Sequence, residues 1–163
     1  GAAAFAQGSL DMVCGWGGAL RRMKEHGNVL LTGAEKEELG ILVFDVTSAP
    51  ASFVAEESET LAKFLKVTAD ANTMWNSGDN ADKMIPVIAK DAGMSEEDTA
   101  STIGTFVFPA IDDQLSGKWL GGGSQEFMKG VAEVFVNAGS IRSARDSYEG
   151  AVDTSALSAA GSM

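Results

Sequence analysis

The chain has 163 residues, with 12 Lys and Arg against 23 Asp and Glu, a formal net charge of −11 at pH 7. That balance speaks against a nucleic-acid partner, which needs clustered cations to neutralise phosphate, and against an anionic membrane surface. A hydrophobic content of 45% can supply a core, and the longest uncharged run, Thr99–Ile111, falls short of the roughly 20 apolar residues that a spanning helix needs.

In chain order, Gly1–Gly8 reads as the end of an Ala-rich helix closed by Gly8. Leu10–Cys14 reads as a short buried strand, Gly17–Glu25 as a helix, and Val29–Thr32 as a second strand. Ile41–Ala49 is the strongest strand candidate: its ILVF run is continuous, as in a strand covered on both faces, and Pro50 stops it. From Glu57 the period becomes helical, with Leu61, Phe64, Leu65, Thr68, Ala71, Met74 and Trp75 in step. Asp82–Ala92 is a further helix, admissible if Pro86 lies near its first turn. Ser95 to Asp98 resembles a capping box opening another, ended near Gly104. Ser124–Ala138 is a helix whose buried stripe is Phe127, Val131, Val134 and Phe135. Strands interleaved with helices in the first 50 residues, then mostly helices, imply an α/β fold with a helix-rich C-terminal portion.

Candidates for chemistry are few. Cys14 is the only cysteine, read as a buried thiol, and His26 is the only histidine, so neither an internal disulfide nor a His-rich zinc site can form. No metal, no cofactor and no catalytic set is expected, and the chain reads as a non-enzyme. Trp16 and Gly17 stand between a predicted strand and a helix, where open α/β sheets bind anions on free N–H groups. An ordinary tight turn is the competing reading. Asp45, with Phe44 beside it in LVFDV, either receives a ligand ammonium or serves a structural ion pair. Gly121–Gly123 has the look of an anion loop without the lysine of a P-loop, and a plain connection capped by Ser124 fits it better. A small enzyme acting on a phosphorylated substrate through that loop is the weaker alternative.

Four segments, AFAQGSLDMVCGWGGAL, GILVFDV with SFVAE, FLKVTADANTMW, and LSGKWLGGGSQEFMKGVAEVFVNAGSI with SYEGAVDTS, succeed one another in a familiar order. Together they resemble the periplasmic solute-binding proteins of taurine and aliphatic-sulfonate ABC transporters, which have the type II periplasmic binding-protein fold. The resemblance implies the C-terminal half of such a protein. Residues 1–40 would end the distal α/β lobe, and residues 41–163 would supply the return strand and the C-terminal helices of the first lobe. It further implies a soluble periplasmic protein that binds taurine or a related sulfonate in an interlobe cleft and delivers it to an ABC permease. Trp16 would match the cleft tryptophan and Asp45 the acidic residue facing the ligand's amino end, with Gly17 and Phe44 beside them in the ligand-binding set. Gly17 and Gly18 for Asp-Pro, Leu39 for the Trp of some taurine binders, and Pro50-Ala51 for basic residues depart from the family and leave the exact ligand open. A same-fold binding protein for nitrate or a pyrimidine precursor is the alternative. An isolated half would also expose strand edges and self-associate.

Overall fold

Where apolar residues recur every three or four positions, the chain is helical. The computed structural model describes residues 1–163 and holds ten α-helices: α1 (Ala2–Ala6), α2 (Gly17–Lys24), α3 (Gly33–Glu38), α4 (Ala51–Glu56), α5 (Ser58–Asn76), α6 (Ala81–Ala92), α7 (Glu96–Ile103), α8 (Ile111–Leu115), α9 (Gly123–Asn137) and α10 (Ser155–Gly161). A 3-10 turn, Glu149–Ala151, precedes the last. The helices divide between two units. One comprises residues 1–32 and 77–108, the other residues 33–76 and 109–163.

In the first unit α1 packs on α2, α2 on α7, and α6 on α7. Met23, Ala89, Thr99 and Ile103 are its buried residues. Arg21 reaches Asp98 at 2.8 Å, a half-exposed pair worth at most about 1 kcal/mol. The start of α7 follows from its sequence: the Ser95 hydroxyl accepts from the Asp98 N–H at 3.0 Å, filling one of the donors a helix start leaves open. Pro86 lies in the second turn of α6, beyond the first-turn position that its missing N–H favours.

In the second unit α10 packs on α5 and α8, and α4 on α5. The contact is made by small residues. Ala62, Ala156 and Ala160 are buried, and beside them Leu157 is the one large side chain of α10 taken out of solvent. Asp153 fixes the entry to α10 by accepting from both the hydroxyl of Ser155 and its N–H, the latter at 2.8 Å. These bonds, the hydroxyl's foremost, hold the Asp153 carboxyl below its ordinary pKa. Asp153→Ala is expected to lower stability by roughly 0.5–1 kcal/mol, the net worth of exposed hydrogen bonds made just before the Thr154 cap position. Because the folded-state pKa is depressed, the contribution is complete above the ordinary Asp value and fades as pH falls through the folded one. The melting temperatures of native chain and variant should differ at neutral pH and converge in acid below the usual carboxylate range.

The α/β expectation is overturned. Helices take 58% of the chain and no residue is in a strand. None of Leu10–Cys14, Val29–Thr32 and Ile41–Ala49 gains a ladder partner, and a strand is stable only when its backbone groups are paired. The continuous ILVF run is not covered on both faces, since Val43 is 74% exposed. Nor is the α9 stripe wholly buried: Phe127 and Val131 are half-buried, while Val134 and Phe135 are exposed. The type II binding-protein fold needs a sheet in each lobe, so the resemblance does not carry over to the architecture. The accessible surface is 11520 Å², whereas the same mass folded as two separate bodies would expose about 9,200 Å². Much apolar surface is left open.

Candidate functional site

Phe44 is held by the second unit. Its ring meets Trp119 edge-on at 6.1 Å and Phe127 at 6.0 Å, geometries that add to simple area burial. Phe127 comes from α9, and Trp119 from the turn that joins α8 to it. Lys118 lies 5.2 Å from the Trp119 ring centroid and pairs with Glu37, which links that turn to α3.

Around this anchor, residues 41–50 form no turn, bend or helix. With no bend, turn or helix to curl it, the run follows a straight, extended course into Pro50, whose own φ of −59 and ψ of 143 are extended. Exposure alternates over its first half: Leu42 and Phe44 are half-buried, while Ile41, Val43 and Asp45 are exposed, and from Val46 to Pro50 every residue is exposed. That is the period of a strand lying with one face on a support and the other in solvent. No N–H or C=O of residues 42–49 bonds to another backbone group. Gly40 with φ +77 begins the run and Pro50 ends it.

The glycine turn has a different job from the one its composition suggests. The N–H groups of Leu120, Gly121, Gly123 and Ser124 donate to the carbonyls of Gln114, Ser116, Gly117 and Trp119 at 2.9–3.0 Å. They are closed within the turn and cannot cradle an anion, which removes the phosphorylated-substrate reading. Gly122, not Ser124, takes the position before α9, and the buried Ser124 hydroxyl makes no hydrogen bond.

Trp16 and Gly17 belong to the first unit, Phe44 and Asp45 to the second. Trp16 is 79% exposed, in extended backbone just before α2, and its carbonyl accepts from Leu20 at 3.2 Å. Gly17 has φ +55, which glycine adopts without strain. Phe44 and Asp45 are chain neighbours that alternate between support and solvent, so they do not line one pocket wall together. Cys14, expected to be buried, is exposed. The best-formed depression, about 420 Å³, is bordered by Glu133, Val136 and Arg142 among others and contains none of the four predicted residues. No three His, Cys, Asp or Glu side chains gather as metal ligands. No helix is long and apolar enough to cross a membrane.

No family model, curated protein or solved structure matches the chain. The transport assignment therefore rests on a resemblance that the fold overturns. Without sheets there are no two sheet-built lobes to close on taurine, nitrate or a pyrimidine precursor, and no bilobed body to present to an ABC permease. The self-association expected from sheet edges loses its premise with the sheet.

Proposed function

We propose that this chain is a non-enzymatic binding module that takes up an extended segment of another polypeptide along residues 41–49. One observation carries the reading: an extended, unpaired run of backbone, anchored through Phe44, with its outer face apolar at Ile41 and Val43. Extended backbone with free donors and acceptors is completed by strand addition, in which main-chain bonds give affinity and alternate side chains give selectivity. A small solute would leave most of those groups unpaired, and a docked helix has no main-chain donors to offer along its length. The proposed contact does not depend on compartment, and the periplasm stood only on the overturned resemblance.

The test uses a neutral peptide, Ac-Thr-Val-Thr-Val-Thr-Val-Thr-amide, and hydrogen exchange on the full chain. Amides within residues 42–49 should exchange quickly in the free chain and slow with peptide present. Methylating alternate peptide nitrogens should abolish the effect, because it removes the donors that strand addition requires. Unchanged exchange at saturating peptide would overturn the reading.

A further inference from the structure

Given that strand-uptake reading, on which this step rests, the occupant's charge can also be assigned. From Leu39 to Ala62 the sequence has no Lys, Arg or His, whereas Asp45, Glu56, Glu57 and Glu59 fall within it. The second unit as a whole carries fifteen Asp and Glu against seven Lys and Arg. Three of those seven are engaged in ion pairs: Lys63 with Glu59, Lys66 with Asp70, and Lys118 with Glu37. Asp45 is exposed on the outer face of the run and has no ion-pair partner.

The outer face thus reads apolar, apolar, acidic at Ile41, Val43 and Asp45. A strand laid beside it places its own alternate side chains on that same face, close enough for cross-strand pairs to interact. We propose that the partner segment is basic: an extended stretch with apolar or β-branched residues opposite Ile41 and Val43 and a Lys or Arg opposite Asp45. An acidic segment would meet a like charge at Asp45, within a stretch that has no cation of its own, and the nearby Lys118 is already paired with Glu37. The unit's net negative charge would also slow its approach.

Two peptides carrying fluorescein on the N-terminus of a Gly-Gly spacer test this on the full chain: fluoresceinyl-Gly-Gly-Lys-Val-Thr-Val-Thr-Val-Lys-amide and its counterpart with Glu in place of both Lys. The symmetric ends offer the same charge to Asp45 in parallel and antiparallel registers. Anisotropy titration at low ionic strength should show the Lys peptide binding about five-fold to tenfold more tightly, from the gain of one opposite-charge pair and the loss of a like-charge one. Asp45→Asn should narrow the difference, and Asp45→Lys should reverse it. Asp45 is exposed, so neither variant disturbs packing. Equal binding of both peptides with slowed exchange at residues 42–49 would overturn the charge assignment while leaving strand uptake standing. No slowing with either peptide would overturn both. Slowing that follows chain concentration without peptide would make a second copy the occupant, and the basic segment would be discarded.

Discussion

Replacing Gly123 by alanine is expected to destabilise the second unit by about 3 kcal/mol or more, the upper range for forcing atoms into a filled site. A Cβ at this position would sit 2.0 Å from the Lys118 carbonyl oxygen and 2.7 Å from its carbon. Both are backbone atoms, so no side chain can swing aside to relieve the contact. The turn itself would have to open, and with it the bonds from Gly123 to Gly117 and from Ser124 to Trp119. Because Trp119 is one of the two rings that hold Phe44, the damage should extend to the anchored run. Gly130→Ala is the control. It lies within α9 with nothing within 4 Å of its added carbon, so the substitution should stabilise by roughly 0.5–1 kcal/mol through helix propensity alone. Urea denaturation of both variants decides the matter. Equal midpoints for Gly123→Ala and the native chain would show that the Lys118 carbonyl can move aside and that the turn is not rigid.

The contrast between these two glycines marks how far the sequence could be read. Helices were legible because their signals are local. The period from Glu57 onward, Ser95 before α7, and the apolar stripe from Phe127 to Phe135 in α9 each act within a turn or two, and α5, α7 and α9 form close to where those signals place them. The Gly121–Gly123 run was not legible. Composition shows that side chains are missing but not whether the space is open or filled by carbonyls of residues 115–118. Strand-like segments failed for a related reason. Branched and aromatic residues at 41–46 favour extended backbone, and extended backbone forms there. A ladder depends on a second segment that no local signal locates, and none pairs with this run. Reading ILVF as covered on both faces also hid its period of two, which sets Phe44 on its support and Asp45 in solvent. At the candidate site, the sequence therefore named the residues without the geometry that makes them useful.

Leu157→Ala should produce a loss of similar size, about 2–4 kcal/mol, by a different route. Leu157 is the one large apolar side chain among the buried residues of α10, and its neighbours there are alanines. Small residues permit close helix approach but remove little area from water, so the hydrophobic term at this contact is concentrated in a single leucine. Truncating it leaves a cavity that Ala62, Ala156 and Ala160 are too short to fill, and the remaining adjustment would require α10 to shift against both α5 and α8. For a unit of this size such a loss is a large part of total stability and should lower its melting temperature by more than about 10 °C. Leu157→Met, which keeps the volume, should cost less than about 1.5 kcal/mol. Calorimetry of the two variants separates the lost volume from the changed shape. If Met and Ala prove equally damaging, the site is governed by the shape of leucine and not by the area it removes from water.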